Sequence, residues 1–284
     1  MARIPISVGI IGLGIIGSRV AAKLRTARHP VYVWNRTPKP QPNFLGSARA
    51  VAESASVIQL FVRDSEALAE VLTAMLPALK PEQVVMNHAT VSPEATLEAA
   101  RTLARAGVPF LDAPFTGSKM MAEKGELNYY VGGDAAVLER VRPVLEVSAL
   151  NILHVGDVGD ATVLKLATNM ISATTLQVVS EALALVQSAG VNREMLADAM
   201  KLNASNSPLI TSKLATMLAR DFEPHFSLKN MLKDAKYALG IAEKAGLVFP
   251  ALNGAAQSMS KMEAAGFGEK DYSVLAEQFD LAKG

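Results

Sequence analysis

The stretch between Gly159 and Gly190 carries the polar residues best suited to chemistry. It holds about 30 residues without proline or glycine, enough for roughly 45 Å of helix. Most of its residues are apolar or small, which predicts a helix buried on nearly every side. Lys165, Asn169 and Ser172 are spaced i, i+4 and i+7, so they share one face of that helix. A lysine here can simply extend its charge to water near the helix end. The amide one turn further along favours a catalytic lysine.

Three glycines near the start of the chain form a second group. They follow the β-branched run Ile6–Ile11 and precede a segment with helical spacing, SRVAAKLRTA. Strand, glycine turn and helix in this order are the context that a dinucleotide-binding fingerprint requires. Gly12 allows the tight turn, Gly14 lets a pyrophosphate approach the backbone, and Gly17 lets the helix pack against the strand. The sequence therefore predicts cofactor binding by Gly12, Gly14, Ile15, Ile16 and Gly17.

The end of the second strand bears on the choice of cofactor. A site for NAD usually has a carboxylate there that binds the ribose 2′-hydroxyl, whereas this chain has Asn35, Arg36 and Thr37. A carboxylate would repel a 2′-phosphate, whereas an arginine can bind it in a forked geometry and a threonine can add a hydroxyl. The alternative is an ordinary solvated arginine in a loop. We predict NADP(H) as the preferred cofactor, with NAD(H) as the second choice.

Strands and helices alternate through the first half. After the second strand, Val31–Trp34, the predicted elements are a helix from Ser47, strand Val57–Phe61, helix Ser65–Leu79, strand Gln83–Met86, helix Pro93–Ala106, strand Val108–Leu111, strand Asn128–Val131, a helix over 134–147 and strand Asn151–Val155. Such repeated units predict a doubly wound, mostly parallel sheet. After the long helix the pattern is helical throughout. We therefore predict an α/β Rossmann domain over 1–158, then an all-helical domain over 159–284 for the substrate cleft and oligomerisation, joined by the long interdomain helix.

Ligands of such sheets bind at the carboxyl ends of the strands. Three strand ends are candidates, at 61–64, 87–90 and 112–118, although each can also be an inert turn. The third contains Thr116, Gly117 and Ser118, which offer hydroxyls and backbone N–H groups to an anion. Lys233 and Asp234 are the next charges of interest, either on a solvated helix face or at the cleft.

Composition restricts the remaining possibilities. The net charge is +1 and 19% of residues are charged, which gives no support for nucleic acid or an anionic membrane as a partner. There is no cysteine, and the four histidines are scattered, so we expect no metal. No secretory signal is apparent, and polar residues interrupt every long apolar stretch. We expect a cytoplasmic protein without a membrane span.

Four motifs resemble those of the β-hydroxyacid dehydrogenase superfamily, meaning 3-hydroxyisobutyrate dehydrogenase and its glyoxylate/succinic semialdehyde reductase relatives. They are IIGLGIIG at 10–17, DAPFTGSKMMAEKGEL at 112–127, GDVGDATVLKLATNM at 156–170 and FSLKNMLKDAKYAL at 226–239. The resemblance covers essentially the whole chain. The segment that begins GSK at Gly117 is more similar to the glyoxylate/semialdehyde branch. Phe115 stands where the family usually has valine, and together with Met120 and Met121 it implies a bulkier pocket wall.

The resemblance assigns roles to the candidate residues. It implies that Lys165 is the catalytic acid/base, that Asn169 helps to hold the substrate, and that Thr116, Gly117 and Ser118 bind the substrate carboxylate. It places Val62, Thr90 and Lys233 beside the cofactor. The implied reaction is NADPH-dependent reduction of a small aldehyde or 2-oxo acid, or the reverse oxidation of a β-hydroxy acid, by a homodimer or homotetramer. Two alternatives are an imine reductase of the same fold, disfavoured by Lys165, and a non-catalytic NADP-binding module, disfavoured by Lys165 with Asn169.

Overall fold

The computed structural model describes residues 5–281. Eight strands form one sheet: β1 (Val8–Ile11), β2 (Val31–Trp34), β3 (Val57–Leu60), β4 (Val84–Asn87), β5 (Phe110–Asp112), β6 (Phe115–Thr116), β7 (Leu127–Gly132) and β8 (Ala149–Gly156). The strand order is β2-β1-β3-β4-β5-β7-β6, and β8 pairs with β7. Strands β1 to β5 are parallel, whereas β7 is antiparallel to β5 and β6. The predicted doubly wound, mostly parallel sheet is confirmed.

The helices flank this sheet and then continue alone. Those among the strands are α1 (Gly17–Thr26), α2 (Ala48–Ser54), α3 (Ser65–Met75), α4 (Pro93–Arg105), α5 (Lys119–Lys124) and α6 (Ala135–Leu145). Those that follow are α7 (Asp160–Ser188), α8 (Glu194–Lys201), α9 (Pro208–Ala219), α10 (Leu228–Lys244), α11 (Pro250–Met262) and α12 (Gln278–Leu281). Within 166–281 the structure contains helices and turns and no strand. The predicted all-helical second half is confirmed.

Side-chain caps explain where several helices begin. Ser47, Asp64, Ser92 and Asp134 each accept a hydrogen bond from a backbone N–H in the first turn of α2, α3, α4 and α6. These residues satisfy donors that the helix itself leaves unpaired. They also close the loops that leave the carboxyl ends of the strands, which fixes the geometry of that edge.

Two apolar clusters cover the two faces of the sheet. One packs α1 and α6 against one face, with Ile10, Val20 and Leu138 among its buried members. The other packs α2, α3 and α4 against the opposite face. The parallel strands are therefore buried on both sides, as their continuous apolar runs predict.

The chain divides into two compact units, Met1–Lys165 and Leu166–Gly284. The second unit has its own core, to which α7 contributes Leu166, Leu176 and Leu183. Helix α7 runs through the division, and the compact unit that contains the sheet therefore includes the first turns of α7.

The surface of α7 differs from the expectation in two ways. Ile171, Val178 and Leu185 are 61%, 60% and 69% exposed, so the helix is not buried on nearly every side of this chain. Its length and composition also meet the criterion for a membrane span, with a window of mean hydropathy 1.2 that is 39% buried. The expectation that polar residues exclude such a segment was wrong, because a few small polar residues barely lower the hydropathy. A core helix of a soluble protein meets the same criterion, so the finding is weak evidence for a membrane.

Candidate active site

The glycine turn has the geometry that a dinucleotide needs. Gly12 has a φ of +101°, and a side chain there would overlap the carbonyl of Phe61. A side chain at Gly17 would overlap the carbonyl of Gly12. At Gly14, by contrast, no atom lies within 4 Å of the position that a Cβ would take. The two outer glycines are thus required by the fold itself, while the middle one leaves the backbone open to a ligand.

Helix α1 begins directly after this turn and has no side-chain cap. The N–H groups of Ser18, Arg19 and Val20 donate to the carbonyls of Gly14 and Ile16. The N–H groups that precede them in the turn lie at the positive end of the helix dipole, where an anion can bind. Open space at Gly14 next to an uncapped helix start fits a pyrophosphate. The turn can hold the diphosphate of a dinucleotide.

The end of β2 is tied to the glycine turn by Asn35. Its side-chain oxygen accepts a hydrogen bond from Leu13 N at 2.8 Å, and its amide nitrogen donates to Thr37 O at 2.7 Å. Asn35 therefore shapes the turn through its side chain. Arg36 and Thr37, which the sequence predicts to contact the cofactor, are exposed beside it.

Lys39 belongs to the same corner, although the sequence did not single it out. Its Nζ donates to Leu13 O at 2.6 Å, which places a second cation next to the turn. The run of prolines around it obscured this, since the pattern predicts only an irregular segment. With Arg36 and Lys39 both cationic, the corner favours a phosphate over a bare hydroxyl.

The strand ends of β3 and β4 are mostly engaged in local structure. Arg63 pairs with Asp64 at 2.6 Å, and Asp64 caps α3. Asn87 bonds both backbone groups of Ala89. Val62 and Thr90 are the half-buried residues predicted to contact the cofactor at these two ends.

The third strand end has more structure than the sequence predicts. Phe115 and Thr116 form the two-residue strand β6, paired with Tyr129 and Asn128 of β7. Gly117 has a φ of +147°, and a side chain there would lie 2.7 Å from Leu127 Cδ2. Ser118 caps the short helix α5, where its Oγ accepts from Met121 N at 3.3 Å.

The ring of Phe115 is committed to an aromatic cluster. It lies 6.2 Å from the ring of Phe61 and 6.1 Å from that of Tyr129. Met120 is 57% exposed on α5. The two residues predicted to make the pocket wall bulkier therefore differ in environment. Phe115 packs against the first apolar cluster, whereas Met120 lies at the surface.

Asp112 anchors the start of α7 to the carboxyl end of β5. Its Oδ2 accepts from Thr162 N at 2.8 Å and Gly159 N at 3.2 Å, and its Oδ1 accepts from Thr162 Oγ1 at 2.9 Å. Burial raises the pKa of Asp112 to about 6, although these hydrogen bonds oppose the shift. Lys165 is half-buried and lies three residues beyond Thr162, one helical turn from the anchor. The candidate lysine is therefore carried by a helix turn fixed to the ligand-binding edge of the sheet.

A buried carboxylate in the second unit joins two other candidates. Asp234 is 1% exposed, and it accepts from Asn169 Nδ2 and from Lys233 Nζ, both at 2.6 Å. Since Nδ2 of Asn169 is used, the side-chain oxygen is the atom that it can offer as an acceptor. The burial of Asp234 excludes the solvated helix face, one of the two alternatives that the sequence left open, and its hydrogen bond with Asn169 was not foreseen.

Two cavities in the described part of the chain bear on the position of the site. One of 250 Å³ is lined by Lys229, Leu232, Lys233, Lys236, Tyr237 and Glu263 and carries three cations. One of 380 Å³ lies at the amino ends of β1, β3 and β4, the edge opposite the glycine turn. In the described part of the chain, no group of His, Asp and Glu residues could hold a metal ion.

Comparisons with known proteins agree with this geometry. Residues 7–156 match the NAD-binding domain of 6-phosphogluconate dehydrogenase, and residues 159–279 match the NAD-binding domain of NADP-dependent 3-hydroxyisobutyrate dehydrogenase. The 2-hydroxy-3-oxopropionate reductase of Escherichia coli (strain K12) is 31% identical, with 96% of this chain and 97% of that protein covered. Glyoxylate/succinic semialdehyde reductase 1 of Arabidopsis thaliana is 28% identical, with 97% and 99% covered.

A solved structure is similar over nearly the whole chain. Mycobacterium tuberculosis 3-hydroxyisobutyrate dehydrogenase with L-serine has a TM-score of 0.86 at 26% identity, with 96% of this chain and 99% of that one covered. The chain therefore belongs to the β-hydroxyacid dehydrogenase superfamily, of the 3-hydroxyisobutyrate dehydrogenase type, and is an NAD(P)-dependent oxidoreductase.

Proposed function

We propose that the protein reduces a small aldehyde or 2-oxo acid that carries a carboxylate, with NADPH as the preferred reductant and glyoxylate- or succinic semialdehyde-like compounds as substrates. The observation that carries this proposal is the anchor of α7 at Asp112, which fixes the turn that bears Lys165 at the carboxyl edge of the sheet. Relatives named for 2-hydroxy-3-oxopropionate and glyoxylate/succinic semialdehyde support the substrate class.

The roles of the residues follow from their chemistry. NADPH held by the glycine turn and Arg36 would supply the hydride for the carbonyl carbon. Lys165 donates a proton to the oxygen that becomes the alkoxide, a form of general acid help worth roughly 10²–10⁴-fold. Thr116 and Ser118 hold the carboxylate with hydroxyl and backbone donors, and the side-chain oxygen of Asn169 accepts a hydrogen bond from the hydroxyl of the alcohol product. The reverse oxidation uses the same groups, with Lys165 accepting the proton.

The preference for NADPH rests on charge at the end of β2. Arg36 is exposed there beside Thr37, Lys39 is hydrogen-bonded to the glycine turn, and Asn35 stands where a carboxylate would select NAD. Val62, Thr90 and Lys233 complete the proposed contacts to the cofactor. We assign cofactor binding to the domain over 1–158 and substrate positioning and oligomerisation to the domain over 159–284.

We also propose a cytoplasmic homodimer or homotetramer. Ile171, Val178 and Leu185 are each seven residues apart on α7, so their exposed side chains form one apolar stripe along the helix. A second copy of the same helix is the partner with matching length and character. Burial of the stripe in such a contact would leave α7 buried on nearly every side, as its composition predicts.

The test of the activity is NADPH oxidation with a panel of carbonyl compounds. It contains glyoxylate, succinic semialdehyde, methylmalonate semialdehyde and 2-hydroxy-3-oxopropionate, with a cyclic imine and an aldehyde without a carboxylate as comparators. We expect turnover of at least one carboxylated substrate and little with either comparator. Turnover of the imine alone would assign the chain to imine reduction, and NADPH binding without any turnover would favour a non-catalytic module.

A further inference from the structure

Gln59 is a polar side chain inside an otherwise apolar part of the sheet. It lies on β3, between Ile10 of β1 and Met86 of β4 in register, and it is fully buried. Neither its side-chain oxygen nor its nitrogen has a hydrogen-bond partner among residues 5–281. A buried amide without hydrogen-bond partners costs free energy of folding. We therefore expect Gln59 to have a hydrogen-bond partner that is not one of these residues.

His88 also has a ring nitrogen that lacks a hydrogen-bond partner among the described residues. Its Nδ1 lies 2.7 Å from Ala113 O, and since a carbonyl only accepts, Nδ1 carries the proton. Its Nε2 is buried and has no partner in the described part of the chain. Burial lowers the pKa of His88 to about 4, so the ring is neutral near pH 7 and Nε2 is an acceptor.

Two aromatic rings pack against the imidazole of His88. It stacks on Phe61 with centroids 4.7 Å apart and meets the edge of Tyr129 at 5.2 Å. Burial raises the pKa of Tyr129 well above its usual value, and the Tyr129 hydroxyl is hydrogen-bonded to Ser148. A neutral hydrogen-bond donor is therefore what Nε2 requires.

Gln59 and His88 lie on the same face of the sheet. Phe61 directly follows β3 and packs in the same apolar cluster as Ile10 and Met86, the register neighbours of Gln59. Phe61 also stacks on His88, which directly follows β4. His88 is thus one strand over and two residues along from Gln59. Long polar side chains in this diagonal relation can share a small bridging molecule.

We propose that one internal water bridges the side-chain amide of Gln59 and Nε2 of His88, and that His88 in this bridge is a positioning residue for the strand-end loop that carries Thr116. The water donates one hydrogen bond to Nε2 of His88. It forms a second hydrogen bond with the side-chain amide of Gln59. Buried waters characteristically occupy sites between such otherwise unsatisfied groups. With Nε2 held as an acceptor, the proton stays on Nδ1 and the bond to Ala113 O is kept.

That bond links the bridge to the candidate site. Ala113 lies two residues before β6, so the bond joins His88 to the segment that leads to Thr116. The kinetic part of the proposal rests on the proposed function, whereas the bridge itself does not.

A double-mutant cycle tests the bridge through thermal stability. Gln59→Leu leaves Nε2 of His88 without its bridge, and His88→Phe keeps the ring stack but leaves the amide of Gln59 unpaired. We expect each single variant to lower Tm by about 3–8 °C. The double variant should melt higher than the sum of these losses predicts, because neither partner of the bridge is then left unpaired. The carbonyl of Ala113 loses its donor in both variants that carry His88→Phe, so that loss cancels in the cycle.

Gln83 supplies the matched control. It is a buried glutamine whose amide nitrogen donates to Ala52 O and Ala55 O. Gln83→Leu combined with His88→Phe should give additive losses of Tm. Additive losses in the Gln59/His88 pair as well would overturn the bridge. So would ¹⁵N NMR that places the proton of His88 on Nε2, with His88→Phe used to assign the signal.

Kinetics test the positioning role. His88→Phe should raise KM for the carboxylated substrate roughly two- to tenfold, the scale of one lost hydrogen bond, without changing the Kd of NADPH. The Gln59→Leu/His88→Phe double variant should regain the part of Tm that the unpaired bridge groups cost, and it should keep the high KM. His88→Asn, which can still donate to Ala113 O, should have a KM closer to that of wild type. A normal KM in the double variant would contradict the positioning role. If the wild-type chain turns over no carbonyl substrate, the proposed function fails, and the melting cycle and NMR still decide the bridge.

Discussion

Lys165 is the residue on which the proposed chemistry depends. Lys165→Ala should lower kcat by roughly 10²-fold or more, the scale of lost acid–base help. NADPH affinity and Tm should stay close to wild type, because the glycine turn and the Asp112 anchor are untouched. Stopped-flow NADPH oxidation beside a thermal melt of each variant measures both.

Two comparison variants separate catalysis from structure at this position. Lys165→Arg should not restore turnover, since a guanidinium stays protonated and cannot cycle as a donor near neutral pH. Lys201→Ala, at a lysine paired with Asp198 on the surface of α8, should leave kcat unchanged. A structural Lys165 predicts the opposite pattern, with a lower Tm, near-normal kcat and rescue by arginine.

The cofactor prediction concerns Arg36. Arg36→Ala removes a charge-assisted contact to the 2′-phosphate and should weaken NADPH binding by about 1.5–3 kcal/mol, with little effect on NADH. Fluorescence titration with both cofactors gives the ratio of the Kd of NADH to the Kd of NADPH. Lys39→Ala should lower the same ratio, since its amine is hydrogen-bonded beside the turn. Equal affinity of the wild-type protein for the two cofactors would contradict the prediction.

Residues that act through the backbone or through another side chain were the hardest to foresee. The glycine turn and Lys165 are visible in the sequence because their types and spacing are unusual there. Asp234 and Lys39 have ordinary neighbours, and their partners, Asn169 and Leu13, are distant in sequence. A contact between residues 65 positions apart leaves no local periodicity that the sequence could reveal.

At the scale of elements, the sequence predicts what local periodicity encodes. The parallel strands β1 to β5 and the long α7 have continuous apolar patterns, and their bounds are reproduced within a few residues. Strand β6 has two residues and α5 has six, both too short for any period to develop. Strand β6 exists because Phe115 and Thr116 pair with β7, which is a tertiary effect, and α5 begins where Ser118 caps it.

The anchor between β5 and α7 makes stability depend on pH. The pKa of Asp112 is raised from 3.8 to about 6, so between these values the folded chain holds a proton that the unfolded chain has released. Stability therefore falls as the pH rises through this interval. The difference of about 2 units corresponds to about 3 kcal/mol. Asp112→Asn should remove this part of the pH dependence, as measured by urea unfolding from pH 4 to pH 7.

Thr162→Val serves as the comparison for that experiment. It keeps the carboxylate but removes the hydroxyl that donates to Oδ1 at 2.9 Å. It should therefore lower stability and retain a pH dependence at least as steep as that of wild type. Parallel curves for the wild type and Asp112→Asn would show that Asp112 does not titrate in this range.

At the scale of the whole molecule, two compact units share a single helix. The units divide after Lys165, while the matches to the two family models meet between residues 156 and 159. The two divisions differ because the first turns of α7 pack on the sheet through Ala161 and Thr162, both almost fully buried. A domain boundary predicted from the sequence is placed at the glycine that precedes α7. The boundary between the compact units lies further along α7, because the first turns of the helix contact the sheet.

The stripe on α7 leads to the prediction for assembly. The wild-type chain should have a molar mass of two or four times 30.1 kDa by light scattering at micromolar concentration. Val178→Glu places a charge at the middle of the stripe and should shift the mass towards the monomer, because burying an unpaired carboxylate is costly. Leu150 is as exposed as Val178, at 60%, but lies on β8. Leu150→Glu should therefore leave the mass unchanged.

A membrane is the competing partner for this stripe, and the helix itself argues against it. Glu181 is exposed on α7 and accepts a hydrogen bond from Gln177 at 2.8 Å. It lies one turn beyond Val178, next to the stripe, where a lipid core would have to accept its charge. A second protein chain can surround the apolar residues and leave this carboxylate in water at the edge of the contact. Sedimentation with lipid vesicles separates the two outcomes. A 30.1 kDa monomer that pellets with vesicles would contradict the assembly proposed here, and an oligomer that stays in the supernatant would support it.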